Sequence, residues 1–183
     1  WLDGINVSGG DAAQGDKFLT VLRHLKKYSM KLVIETNGKN AALLEAVLAE
    51  GLADKVIMNV LGPLHLYGAL AGEVVEPQEV ERSIATVARL CEYQFQTVVA
   101  PVQRGQDVVS YLTPAEIGET AKLIETASGS KKQPYLIKLF RPGASASEAF
   151  KRLEPMSATM LLPYRSAARA YQVMVEVEKD VLV

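Results

Sequence analysis

Short runs rich in valine and isoleucine alternate with helical patterns along most of the 183 residues. Most of these runs do not alternate polar with apolar residues, which is typical of strands in a parallel sheet covered on both faces. The predicted strands are 4–8, 31–36, 55–60, 93–99, 135–140 and, as a possible sixth, 173–177. Repeated strand–helix–strand units predict an α/β fold with a parallel sheet.

The segments between the strands carry helix signals. Apolar residues recur on one face of 16–27 and of 41–50. Pro77 opens a third helix, and residues 113–116 form a capping box that opens a fourth. A last helical pattern covers 157–171, where a proline is expected to break or kink the helix.

These βα units are too few for a complete eight-stranded barrel, so we expect an open sheet or a partial barrel. In either arrangement the carboxyl ends of the strands meet at one rim, where ligands bind. Residues 1–183 are expected to form a single domain. The segments expected at the rim are 8–11, 35–38, 59–63, 99–101 and 140–142.

Composition excludes several classes of function. The formal net charge is −1 and no basic stripe is evident, so we expect no nucleic-acid partner. No apolar run approaches the length of a membrane span, so no membrane association is expected. Cys91 is the only cysteine, which rules out a disulfide within the chain and fits a reducing, cytoplasmic setting.

The first rim segment ends an apolar run at Gly9, Gly10 and Asp11. The glycines allow a sharp turn and leave no Cβ in the way of a ligand. A carboxylate at Asp11 can hold a cationic group such as an amino-acid ammonium. The alternative is a plain strand-to-helix turn in which Asp11 caps the helix.

Polar residues also interrupt or end three later strands. Glu35 either points into the barrel or is a carboxylate that a partner satisfies. Asn59 either reaches a ligand or bonds to neighbouring backbone. Arg141 could bind a carboxylate or phosphate, or pair with Glu35 or Asp11. Neither histidine belongs to a cluster with metal-ligand spacing.

The order of the rim segments resembles the radical S-adenosylmethionine proteins. The resemblance is closest to the glycyl-radical-enzyme activases, especially the anaerobic ribonucleotide reductase activating proteins. It covers nearly the whole chain and implies a partial, TIM-like (βα)6 barrel that lacks its first strand because the chain is truncated at the N-terminus. The segments that carry it are 7–11, 35–38, 58–63, 97–101 and 138–142.

The resemblance assigns the first rim segment to the cofactor. Gly9, Gly10 and Asp11 match the family's Gly-Gly-Glu motif, which holds the methionine amino group of S-adenosylmethionine. The family's Cys-x3-Cys-x2-Cys loop, which ligates a [4Fe–4S] cluster, belongs upstream of this motif, whereas the chain has only Cys91. A cluster is therefore expected only in a full-length form, and the chain alone is predicted to be inactive.

Two further rim segments are assigned to the cofactor in the same way. Glu35, Thr36 and Asn37 match the polar strand end that reaches the ribose and carboxylate region of S-adenosylmethionine. Asn59 and Leu61 match the Asp and Lys of an Asp-x-Lys motif near the active site, so both charges of that motif are missing.

Three hypotheses about function follow. An intact activase would cleave S-adenosylmethionine reductively and abstract a hydrogen atom from a glycine of a partner, a glycyl-radical enzyme such as anaerobic ribonucleotide reductase. A degenerate, non-redox relative would instead bind a nucleotide or a protein, and the uncharged Asn59 and Leu61 favour it. In the third, the chain is an unrelated α/β enzyme whose rim motifs match by chance.

Overall fold

A computed structural model describes residues 4–8, 14–90, 92–105 and 108–179. The strands in chain order are β1 (Gly4–Ser8), β2 (Lys31–Thr36), β3 (Lys55–Asn59), β4 (Tyr93–Val99), β5 (Pro101–Gln103), β6 (Val109–Tyr111), β7 (Tyr135–Leu139) and β8 (Val175–Val177). Six of these described strands form one sheet in the order β1-β2-β3-β4-β7-β8, and every neighbouring pair is parallel. The predicted parallel α/β sheet is thus confirmed.

Helices connect the strands and lie side by side. They are α1 (Gly15–Lys26), α2 (Ala41–Ala49), α3 (Leu64–Ala71), α4 (Pro77–Val87), α5 (Pro114–Ser128), α6 (Glu148–Lys151) and α7 (Leu162–Ala168). Helix α1 packs on α2, α2 on α4, α4 on α5, and α5 on α7. These five helices form one continuous layer, as in part of a βα barrel. None of the described helices is long and apolar enough to cross a bilayer.

The two faces of the sheet differ in burial. Alternate strand residues such as Ile34, Met58 and Ile137 are almost completely buried in the core. Residues between them, such as Glu35 and Ile57, are half-exposed. The helix layer buries one face, whereas most described residues of the other face, here called the open face, are only half-buried, with Gln96 as a buried exception. The expectation that the strands are covered on both faces is therefore wrong for most of the sheet.

Strand β1 is the edge strand of the described sheet rather than a buried strand. Gly4, Asn6 and Ser8 are exposed, and only Ile5 and Val7 pack against the core. The prediction of a buried strand at 4–8 is therefore wrong, whereas its place at an edge agrees with the expected lack of a first strand. Strands β3 and β7 each end one residue earlier than predicted.

The segment 157–171 does not form one kinked helix. A 3-10 helix covers Ala158–Leu161, and Pro163 lies in the first turn of α7, where a proline costs no hydrogen bond. Helix α3 and the antiparallel hairpin of β5 and β6 were not predicted.

An ion pair anchors this hairpin to α5. The guanidinium of Arg104 donates to both carboxylate oxygens of Glu116, with an Nη2–Oε2 distance of 2.7 Å. Glu116 also closes the capping box with Thr113, as the sequence predicts. Hydrogen bonding from Arg104 is the main cause that lowers the pKa of the Glu116 carboxyl to about 2.

Replacing Arg104 with methionine is expected to raise the pKa of Glu116 toward its ordinary value of 4.5. Because the folded-state pKa is depressed, the pair stabilises the protein fully above pH 4.5, and its contribution is lost as the pH falls through about 2. We expect a loss of about 1 kcal/mol in unfolding free energy at pH 7 and a smaller loss at pH 3. Carboxyl-carbon NMR titration and urea unfolding measure both quantities.

The matched control is Arg82→Met, which removes an exposed arginine that pairs with Glu45 and Glu79. It should leave the pKa of Glu116 unchanged. An unchanged pKa in Arg104→Met as well would contradict the assigned cause.

Candidate functional site

Two adjoining pockets lie at the carboxyl edge of the sheet, here called the mouth. The asparagine pocket has a volume of about 220 Å³ and is lined by Asn37, Asn59, Leu61 and four other residues. The lysine pocket has a volume of about 420 Å³ and is lined by Lys138, Arg141, Glu178 and five other residues. Val98 lines both pockets, so the two pockets adjoin at this residue.

The asparagine pocket joins polar groups from adjacent strands to an apolar wall. Asn37 follows β2 and Asn59 ends β3. The Asn59 Oδ1 accepts a hydrogen bond of 2.7 Å from Nε2 of Gln96, a residue of β4 that is 5% exposed. The expected alternative of a bond between the Asn59 side chain and backbone is not the one observed. A buried side chain holds Asn59 at the pocket wall instead.

A tight turn follows β2 at the mouth. The amide of Gly38 donates to the Thr36 hydroxyl at 3.1 Å, and the Asn37 Oδ1 accepts from the Lys39 amide at 3.4 Å. Gly38 has a φ of 75°, and a Cβ there would lie 2.2 Å from Cε of Met58. Glycine suits this turn because a side chain would strain the left-handed backbone and push the end of the Met58 side chain aside. The Thr36 hydroxyl thus stabilises the turn by accepting the hydrogen bond from the Gly38 amide.

Tyr67 of α3 links the ends of β2 and β3 beneath the pocket. Its side chain is 2% exposed, and its hydroxyl donates to the carbonyl oxygen of Asn37 at 2.8 Å. The carbonyl oxygen of Asn59 lies 3.4 Å from the same hydroxyl. Burial raises the pKa of Tyr67, so the phenol stays neutral and remains a donor.

The structure separates the other residues that the sequence singled out. Glu35 lies on the open face, half-exposed, and has no ion-pair partner among the residues that the structure describes. Arg141 pairs with Glu178 at 2.8 Å and makes no ion pair with Glu35, whereas Asp11 lies outside the described residues. His65 is exposed, with Nδ1 3.6 Å from a carboxylate oxygen of Glu119.

Some of the predicted site residues are outside the described part of the chain. They are Gly9, Gly10 and Asp11, and the lone cysteine, Cys91, also lies outside it. Within 4–8, 14–90, 92–105 and 108–179, no group of three His, Cys, Asp or Glu side chains could hold a metal ion. With one cysteine in the sequence, the residues of this chain do not fit a three-thiolate cluster site.

Sequence analysis missed Gln96, Lys138 and Tyr67. Gln96 and Lys138 interrupt apolar strands in the same way as Asn59, and that signal could have found them. Tyr67 had no comparable signal, because it acts through a helix that was not predicted.

Comparison with known proteins gives a distant relative. The chain is 24% identical over 170 residues to a protein of Methanocaldococcus jannaschii whose name provisionally assigns it as a glycyl-radical enzyme activating enzyme. The match covers 92% of this chain and 68% of that protein. No family model matches the chain. The name of this relative supports the resemblance to activases only weakly, because the two sequences are 24% identical.

Replacing Tyr67 with phenylalanine is expected to lower the unfolding free energy by about 1 kcal/mol, because the partly buried Asn37 carbonyl loses its donor. The signals of the 36–39 turn should broaden or shift in amide NMR spectra, because α3 no longer holds this strand end. The control is Tyr28→Phe, since Tyr28 is 68% exposed and its hydroxyl is solvated. Equal stability of the two variants would show that the Tyr67 hydroxyl contributes nothing.

Proposed function

We propose that this chain is the barrel portion of a glycyl-radical enzyme activating enzyme and binds S-adenosylmethionine at the mouth. The observation that carries the proposal is the asparagine pocket, where Asn37 and Asn59 from adjacent strands line one apolar slot at the carboxyl edge. In parallel α/β folds this edge is where ligands bind. The name of the distant relative supports the same class of protein.

The described residues suit an adenosyl group. Val60, Leu61 and Val98 supply apolar walls for a planar ring or a ribose face, and the two asparagine amides supply hydrogen bonds. Glu35 is two positions before Asn37 and faces the open side of the sheet, where a carboxylate can accept from ribose hydroxyls. When bound, S-adenosylmethionine would supply the adenosyl and sulfonium chemistry there.

The remaining assignments are extensions of the resemblance. Gly9, Gly10 and Asp11 would hold the ammonium of the methionine part, and Thr36 would shape the turn that carries Asn37. The partner would be a glycyl-radical enzyme, and the setting cytoplasmic. We derive no redox step, because this chain lacks the thiolates that a [4Fe–4S] cluster needs.

The second candidate is a non-redox relative that binds a nucleotide. Asn59 and Leu61 favour it, because both are uncharged where the activases carry Asp and Lys. In this chain an amide held by Gln96 and an apolar side chain stand at the two positions.

Titration calorimetry with S-adenosylmethionine and S-adenosylhomocysteine tests binding at the mouth. We expect Asn59→Ala to weaken binding about tenfold, because one hydrogen bond to the ligand is lost. Gln94→Ala is the control, since Gln94 lies near the amino end of β4 and does not line the asparagine pocket. Lack of binding by the unaltered chain, or equal affinity in both variants, would contradict the proposal.

The activase and the non-redox relative differ in whether the complete reading frame encodes cluster-binding cysteines. An activase requires three cysteines in Cys-x3-Cys-x2-Cys spacing before residue 1, with iron and sulfide bound after anaerobic reconstitution of the full-length protein. A non-redox relative would lack these cysteines and bind no cluster, yet still bind the nucleoside.

A further inference from the structure

The lysine pocket is a second chemical environment at the mouth, and the proposed function does not use it. It lies where β4 and β7 end and where the chain leaves β8. Three charged side chains line it, namely Lys138, Arg141 and Glu178. We propose that this pocket binds a compact oxyanion, a carboxylate or a phosphate, on the molecule that enters the mouth.

Lys138 supplies the first positive charge. It is half-buried and lies opposite Val98 in the β4–β7 register, on the face that the helices leave open. Among the described residues, no carboxylate lies within 4 Å of its ammonium. The other half-buried strand lysine, Lys55, does pair with a carboxylate, that of Glu92, at 3.3 Å. A cation that is neither fully solvated nor paired is well suited to bind an anion.

Arg141 supplies the second positive charge, and Glu178 orients it. One carboxylate oxygen of Glu178 accepts from Nη2 of Arg141 at 2.8 Å. The other accepts from the amide of Leu139 at 2.8 Å, which ties the carboxylate to the end of β7. The Glu178 side chain is 18% exposed, and its carboxylate makes these two bonds and no ion pair with Lys138. The three groups together carry one net positive charge.

The chemistry of these groups selects the class of ligand. A guanidinium fork with free N–H groups and an ammonium are the donors that proteins use for carboxylates and phosphates. A neutral ligand group would leave the net charge unmatched, and a cation would be repelled. Because Val98 lines both pockets, a ligand can place a neutral part against Asn59 and its oxyanion against Lys138.

The inference extends the proposed function, since it concerns the same mouth, but it does not require S-adenosylmethionine as the ligand. The probes are inorganic phosphate and glutarate, titrated separately into the isotope-labelled chain at low ionic strength. We expect saturable shifts of the amide signals of Leu139 and Arg141. A response to only one probe identifies whether the oxyanion is a phosphate or a carboxylate.

Variants separate an ion-binding role from a structural one. Lys138→Met should weaken binding of the effective probe at least tenfold, and Lys138→Arg should restore it. Lys132→Met, in the exposed loop before β7, is the control and should bind normally. Glu178→Gln keeps an acceptor for Leu139 but removes the negative charge, so affinity for the anion should rise severalfold, and less so at high salt.

Absence of a saturable shift with both probes, or the same affinity in Lys138→Met as in the unaltered chain, would overturn the inference. If Lys138→Met fails to fold, the Glu178→Gln affinity and its salt dependence decide. Binding of S-adenosylhomocysteine is measured in parallel. If phosphate or glutarate binds and S-adenosylhomocysteine does not, the proposed function is contradicted and the oxyanion site is not. If S-adenosylhomocysteine binds and neither anion does, the oxyanion site is contradicted and the proposed function is not.

Discussion

Parallel pairing of neighbouring strands is the constraint on which the rest of the structure depends. A parallel neighbour can be reached only by a long crossover, so each successive strand of the main sheet is separated from the last by at least one helix. The same pairing sends every strand end of the main sheet to one edge. The helices form a single layer, and the opposite face stays accessible beside that edge. The mouth is thus a result of topology before any side chain is considered.

Two kinds of chemistry meet at the mouth, and neighbouring side chains hold both in place. Asn59 is held by Gln96 and the end of β2 by Tyr67, so the neutral side of the opening is fixed from beneath. Glu178 fixes Arg141 on the charged side through the end of β7. A ligand with a nucleoside-like part and an anionic part would match both sides at once.

The sequence predicts what is local and misses what is distant. Residue type and capping signals located the six strands of the main sheet and the capping box at Thr113, because these depend on neighbours along the chain. They could not show that one face of the sheet is open, since a short apolar run looks the same in either case. The Arg141–Glu178 pair joins residues 37 positions apart, so the sequence did not reveal it, and the expected pair with Glu35 is wrong. Asn37 and Asn59 were expected at one rim, and they share a pocket.

Glu116 performs two tasks with one carboxylate. It completes the N-terminal cap of α5, and it holds the hairpin of β5 and β6 through Arg104. Detachment of the hairpin would therefore free a group on which the first turn of the helix relies, and fraying of that turn would release the hairpin. The two segments should open and close together as one unit of local unfolding, beside the strand end at Ala100 that lines the asparagine pocket.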